Sequence, residues 1–458
     1  MRSFWLLVSL IAGAPMLANA ETFDTSFNGT GKVLFRIENT DLRAVAALPM
    51  PNGEIVQVMA SVSNPVFLVA RRYSATGAVV NIVVPTIEWS GIYAAAVDGS
   101  GRVVVVGTID GGARGTDMAV MRLKPDLTID GTFSGDGLAT FDYIGTNDYA
   151  KAVAIDQRDN IVIVGSTFQS AADSDFLIVR MRSDGTMDST FNSGGFRRIP
   201  FDFGSPFQDQ ATAVAIGNDG KIVIGGNALD NNFGRVRVAM ARLLPNGAYD
   251  TTFCNGGCST NAGYNTIQNG RTVYYFGLNT DHADELFDIE ALGTRGFVIA
   301  GTTYADDGSP RRGAIARFAP SGTYDSESLQ TGLGGNAMFS GVRSADAAGT
   351  RLLVSGTSGP GEIFFLLQAF TSSLAPLANY GSGNCVPDNS TFCFSSSASF
   401  GDVGPDFAGV LNLDSSGRPL FSGGGIANAT DTTRTVLTAR FTNTSGPKPD
   451  RIFRSGFN

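Results

Sequence analysis

Six segments of the chain close on nearly the same phrase: Phe67-Leu-Val-Ala-Arg71-Arg-Tyr73, Met118-Ala-Val-Met-Arg122-Leu123, Phe176-Leu-Ile-Val-Arg180-Met181, Val238-Ala-Met-Ala-Arg242-Leu243, Gly313-Ala-Ile-Ala-Arg317-Phe318 and Val436-Leu-Thr-Ala-Arg440-Phe441. Self-similarity at an interval of roughly 50–75 residues marks a repeat architecture, in which one small unit recurs and cannot bury its faces alone. A second phrase lies upstream of each Arg, a turn followed by an apolar run that closes on Gly. Asp98-Gly-Ser-Gly-Arg-Val-Val-Val-Val-Gly107, Asp159-Asn-Ile-Val-Ile-Val-Gly165, Asp219-Gly-Lys-Ile-Val-Ile-Gly225 and Gly296-Phe-Val-Ile-Ala-Gly301 are examples, and in the first copy Met59 stands where Gly would fall.

Before each turn runs a short apolar stretch, such as Ala44-Val-Ala, Ala94-Ala-Ala-Val97, Ala152-Val-Ala-Ile155 or Ala213-Val-Ala-Ile216. Two apolar runs joined by Asn-Gly or Asp-Gly read as a hairpin, because the turn needs positive φ and these residues supply it. A third phrase follows several Arg strands: Ile129-Asp-Gly-Thr-Phe133, Met187-Asp-Ser-Thr-Phe191 and Tyr249-Asp-Thr-Thr-Phe253, with Phe23-Asp-Thr-Ser-Phe27 at the start of the chain. A further strand comes after it, as at Leu138–Phe141. Each copy therefore holds four strands, and four-stranded sheets repeated around an axis form a β-propeller.

The expected fold is all-β, a single β-propeller of about seven four-stranded blades. A sixth copy falls on Leu352–Gly356 and Ile363–Gln368, with Gln368 at the Arg position, and a seventh on Phe407–Val410, Pro419–Gly423 and the strand ending at Arg440. The chain begins with a strand at 32–37 that has no inner strands before it and ends on an Arg strand without an outer partner. Strand 32–37 is thus expected beside Thr435–Phe441, closing the ring.

The combination Asp-x-Thr-Phe-x-x-Gly-x-Gly, Ala-Val-Ala, Asp-Gly-Lys-Ile-Val-x-x-Gly and Ala-Arg-Leu resembles the delta-60 repeat family of bacterial secreted β-propeller proteins. It does so best from Phe23 to about Asp325. The resemblance implies the fold and an exported bacterial setting, and fold alone carries no function.

The ends agree with export. Residues 1–20 read as a signal peptide, with a basic start, a short apolar core and a small-x-small site at Ala18-Asn-Ala20, which makes Glu21 the first mature residue. The propeller is expected over 21–443 and a tail over 444–458, where Ile452-Phe453 and Gly456-Phe457 resemble a terminal sorting motif. The setting is secreted or periplasmic. No later segment approaches the ~20 apolar residues of a membrane span. The net charge of −9, with basic residues scattered singly, excludes binding nucleic acid through a phosphate-contacting stripe.

Cys254 with Cys258 and Cys385 with Cys393 form two local pairs, read as disulfides in an exported chain rather than as a metal or redox site. The single histidine, His282, leaves little room for a catalytic triad or a multi-histidine metal centre. A residue repeated in nearly every copy is architectural, so the recurrent Arg is expected to bridge carbonyls or an acid such as Asp117 or Asp175. Acids precede the inner strands at Asp41, Asp148, Asp209, Asp284 and Asp406. They either cap their own loops by accepting backbone N–H bonds or converge at a channel mouth to bind a ligand, calcium among the cations and otherwise a glycan or protein. No catalytic residue or resident cofactor is assigned. Two functions follow: a non-catalytic binding or scaffold module, or a propeller enzyme, a carbohydrate-active hydrolase or lyase using those carboxylates.

Overall fold

The computed structural model describes residues 23–201, 207–230, 234–254, 270–278, 282–305, 310–330, 337–345, 350–358, 364–377, 391–394, 410–426 and 434–442. The expected signal peptide over 1–20, Cys258, Cys385, Asp406 and the expected tail over 444–458 lie outside these residues. The chain opens on β1 (Lys32–Phe35). The first unit follows as β2 (Leu42–Pro49), β3 (Ile55–Ser61), β4 (Val66–Tyr73) and β5 (Val79–Val83), with β6 (Glu88–Trp89) on the far end of β4. Next come β7 (Gly91–Val97), β8 (Val103–Asp110), β9 (Thr116–Leu123) and β10 (Leu138–Phe141), then β11 (Asp148–Ile155), β12 (Ile161–Ser170), β13 (Asp173–Met181) and β14 (Phe196–Ile199).

The pattern continues through β15 (Phe207–Ile216), β16 (Ile222–Asp230), β17 (Arg235–Leu243) and β18 (Arg271–Tyr274). After it run β19 (His282–Ala291), β20 (Phe297–Ala305), β21 (Arg312–Phe318) and β22 (Tyr324–Gln330). The last strands are β23 (Ala337–Ser344), β24 (Arg351–Ser358), β25 (Phe364–Thr371), β26 (Thr391–Phe394), β27 (Val410–Leu413), β28 (Pro419–Ile426) and β29 (Arg434–Arg440). Each four-strand unit is antiparallel in sequence order, and the β11 and β15 units are joined by a two-residue parallel pairing of β13 with β15. The β27 unit takes its fourth strand from the other end of the chain: β1 pairs antiparallel with β29, Lys32 opposite Ala439 and Phe35 opposite Val436.

The sheets stack face to face, with both faces of most strands apolar. Val103–Val106 are all buried, as are Ile161–Val164. One core cluster joins the β2 and β7 units, through Val56, Val58, Ala95 and Val105. Another joins the β11 and β15 units, through Val162, Phe176, Ile224 and Ala239. First strands also neighbour one another in order, and β27 lies against β2, where Gln57 donates to Ser422 Oγ at 3.1 Å and Asn412 to the Ala47 carbonyl at 3.2 Å.

Two sequence phrases find their cause here. Six first strands, β2, β7, β11, β15, β19 and β23, carry a bulge at the same place, with Val45, Tyr93, Lys151, Thr212, Phe287 and Ser340 as the extra residue. The bulge presses a first-strand carbonyl onto the second strand, so that a Cβ on Gly165 would overlap the Tyr149 carbonyl oxygen. The recurring Gly is the close approach of two backbones. In the β15 unit the equivalent residue is Gly226, opposite Ala211, not Gly225.

The recurrent Arg links neighbouring units. Arg180 donates Nε to Asp188 at 2.8 Å and Nη1 to the Pro245 carbonyl of the next unit at 2.5 Å, while its guanidinium lies 4.6 Å from the Phe191 ring centroid. Arg122 with Asp130, Thr132, Phe133 and the Ser183 carbonyl repeats the arrangement. So does Arg242 with Asp250, Thr252, Phe253 and the Pro320 carbonyl. Arg440 finds the same partners in Asp24, Ser26 and Phe27 at the start of the chain, and donates to the Ala75 carbonyl of the first unit at 2.7 Å.

Three expectations are corrected. The carboxylate on the Arg belongs to the Asp-x-Thr-Phe phrase, because the chain doubles back through a tight turn; Asp175 instead takes Arg198. In the first copy Arg72, opposite Val56 and bonded to the Pro125 carbonyl, holds the position rather than Arg71. In the sixth, Phe370 pairs with Leu352 as Phe318 pairs with Phe297, which puts Ala369, not Gln368, in the Arg place.

Candidate functional site

The acids that open the first strands divide by register. Asp148, Asp209 and Asp284 are equivalent, each three residues before the bulge, and all are buried. In the β2 unit that place belongs to Leu42; Asp41 stands one residue earlier and is half-buried. Asp148 accepts the Tyr143 N–H at 2.6 Å and Asp209 the Phe201 N–H at 2.6 Å, both on the segment leaving the preceding unit's fourth strand. Their carboxyl groups are therefore set between units. His282 opens β19 opposite Ala305. Among the described residues no group of three or more His, Cys, Asp or Glu is placed to hold a metal ion. Cys254 is buried and is not a free thiol.

Burial decides the protonation of these acids. It pushes the Asp148 carboxyl up to about 6, against the pull of the Thr167 hydroxyl and the Tyr143 N–H. It pushes Asp284 up to about 8, against Thr303 and Arg237. Asp284 thus keeps its proton in the fold well above 3.8, where it ionises once unfolded. Between those values the folded chain binds one more proton, so stability falls as pH rises, by up to about 1.4 kcal/mol per pH unit. Asp284→Asn removes that dependence. Thermal unfolding at about pH 5 and about pH 8 should show a smaller drop in Tm for the variant than for the wild type. An identical drop would mean that the folded chain carries Asp284 ionised.

The six bulge positions differ from unit to unit. Their residues are Val, Tyr, Lys, Thr, Phe and Ser, whereas the flanking positions are chiefly Ala and other apolar residues. Two cations lie near the Tyr93 ring: Lys151 Nζ is 3.9 Å from its centroid and the Arg43 guanidinium 5.6 Å. Arg43 also donates to the Ile92 carbonyl. The three side chains come from the first strands of three consecutive units. Burial, with Arg43 close by, brings the Lys151 ammonium down to about 8. In the sequence they stand as isolated residues, and the one signal is a polar residue between two alanines, at Ala150-Lys151-Ala152. A hollow of about 220 Å³ between the turns at Asp156–Arg158 and Asn218–Gly220 is lined in part by Arg180, whose bonds are already committed to the inter-unit link.

Fold and repeats together define the class, a β-propeller. Four stretches, 99–133, 157–191, 217–253 and 298–327, match the model of a β-propeller domain of unknown function (DUF5122). The first three end on the Phe of the Asp-x-Thr-Phe phrase. No curated protein matches the chain by sequence. Solved structures similar to it include a protein of unknown function from Dyadobacter fermentans, 13% identical over 90% of this chain and 98% of that one, TM-score 0.44. Others are an ulvan lyase described as a new family of polysaccharide lyase, 10% identical over 86% and 93%, TM-score 0.48, and the BP39L lectin from Burkholderia pseudomallei, 11% identical over 90% and 100%, TM-score 0.42. None of these likenesses bears on what the chain does. No helix among the described residues is long and apolar enough to cross a membrane.

Proposed function

We propose that the chain is an exported β-propeller of seven four-stranded blades, closed by β1 on β29, that acts without catalysis as a binding or scaffold module of the bacterial envelope or exterior. Closure is supported by the β1–β29 ladder, by the contact of β27 with β2 and by the bond from Arg440 to the first unit. Two local disulfides, Cys254–Cys258 and Cys385–Cys393, belong to the same reading. The binding role rests on one observation: the recurrent Arg and the Asp of the Asp-x-Thr-Phe phrase are tied into inter-unit links, while the residue at the bulge of the six bulged first strands differs in chemistry from unit to unit. Variation at one place on a constant frame is how a scaffold presents a specific surface.

The alternative, an enzyme working through Asp148, Asp209 and Asp284, needs carboxylates that meet substrate. These are buried, and Asp148 and Asp209 are bonded to backbone. The test is to incubate the mature protein with a panel of glycans and peptides and to measure retention and product together. Retention without turnover is expected; turnover lost on Asp→Asn replacement of those three acids would establish the enzyme instead.

A further inference from the structure

The geometry points to an interface with a second copy of the chain, formed by β5 pairing antiparallel with its counterpart about a two-fold axis at Ile82. β5 and β6 lie end to end along the outer side of β4, and among the described residues no further strand pairs with β5. Val79, Val80, Ile82 and Val84 are between 42% and 52% exposed, and they are four of the seven large apolar side chains left exposed among the described residues. Residues 73–87 hold no Asp, Glu, Lys or Arg. An apolar, uncharged strand edge is what a fold avoids unless another strand covers it.

The β19 unit carries the same edge in a form suited to water. β22 is joined to β21 by a short turn, as β5 is to β4, and both ladders slip at the same place. Tyr73 pairs with Val79 and Arg72 with Asn81; Phe318 pairs with Tyr324 and Arg317 with Ser326. Val80 therefore corresponds to Asp325 and Ile82 to Glu327. Charge at these two positions blunts the β22 edge, and its absence leaves the β5 edge open. The Ile82 N–H goes to the Asn81 side-chain oxygen at 2.8 Å, a bond that a partner strand's carbonyl can replace.

Charge also selects the occupant. A partner of another sequence is steered and chosen through charged groups, and residues 73–87 supply none. A two-fold asks only that the edge match itself. With Ile82 on the axis, Ile82 meets the partner's Ile82 and Val80 meets the partner's Val84, apolar cross-strand pairs of the kind that stabilise a sheet. Two net-negative chains approach here without setting acid against acid.

Sedimentation velocity of the mature protein over a range of concentrations tests the interface, on the wild type, Ile82→Lys, Ile82→Glu and Val80→Asp, the last being the residue that β22 carries at the same place. The wild type should form a dimer that grows no further, because a two-fold closes. Each variant should dissociate at least tenfold more readily while melting at the wild-type temperature, since these side chains are exposed in the single chain. An equimolar mixture of Ile82→Lys with Ile82→Glu should dimerise again, opposite charges now meeting at the axis. A wild type that stays monomeric overturns the interface. So do variants that dimerise as well as the wild type, which would put the contact elsewhere, and wild-type oligomers that grow beyond two. Dissociation of both Ile82 variants without recovery on mixing would show that Ile82 does not meet its counterpart, and the two-fold pairing would fall. Should the Ile82 variants fold poorly, Val80→Asp decides between dimer and monomer by the same comparison.

Discussion

Deleting residues 21–40 should abolish cooperative unfolding and send much of the chain into aggregates. The deletion removes the ladder of β1 on β29 and exposes β29 as an open edge. It also takes away Asp24, the carboxylate of Arg440, whose side chain is 1% exposed. A buried charge stripped of its partner costs about 3–5 kcal/mol by itself. Phe27 goes as well, and with it the packing on Tyr73 at 6.2 Å between ring centroids. Size-exclusion chromatography and thermal melting of the deletion variant decide the matter. A soluble monomer with an unchanged transition would show that β1 is an accessory strand.

Phe191→Ala should destabilise the chain by about 3–5 kcal/mol, the range for a buried aromatic cut back to Ala. Phe191 is fully buried under Arg180 and reaches the next unit, where Gly247 sits at φ +82 with no room for a Cβ beside the Phe191 ring. The same match joins Phe133 to Gly185, Phe253 to Gly322 and Phe27 to Gly77. Where the preceding unit lacks the phrase, the turn carries Leu at positive φ instead: Leu127 at 68° and Leu374 at 61°, both buried. A left-handed conformation costs a non-glycine residue roughly 1 kcal/mol, which Leu burial outweighs. Gly247→Leu alone should therefore be as damaging as Phe191→Ala, and the double variant should recover part of the loss. Additive losses measured by denaturant titration would show that the two positions are not coupled.

The Arg was legible as architecture because it recurs, but its partner was not. Asp188 lies eight positions along the chain, across a turn that brings it back under Arg180, while Asp175 is nearer in sequence and bonded elsewhere. Gln368 was placed one residue off because Phe364-Phe-Leu-Leu367 has no alternation to set the phase, which only the pairing of Leu352 with Phe370 supplies. The acids before the first strands were found from position alone, and the reading that each accepts backbone N–H bonds describes Asp148 and Asp209. Their burial was invisible, since it comes from the segment that folds over them out of the preceding unit. Lys151 was hidden for another reason: a bulge shifts which side chains leave the sheet, and no residue in Ala150-Lys-Ala152 announces one.

The pairing of Phe with Gly, and of its absence with Leu, means that these repeats are not interchangeable parts. If unequal crossing-over in the gene removed the β7 unit, the turn of the β11 unit would follow one without the Phe phrase, leaving Gly185 over a void. If it duplicated the β7 unit, Leu127 of the second copy would meet Phe133 of the first in space for only one of them. The near-identity of the repeats thus conceals a fixed order, and rearrangements that preserve the reading frame would still be selected against at the level of the junctions.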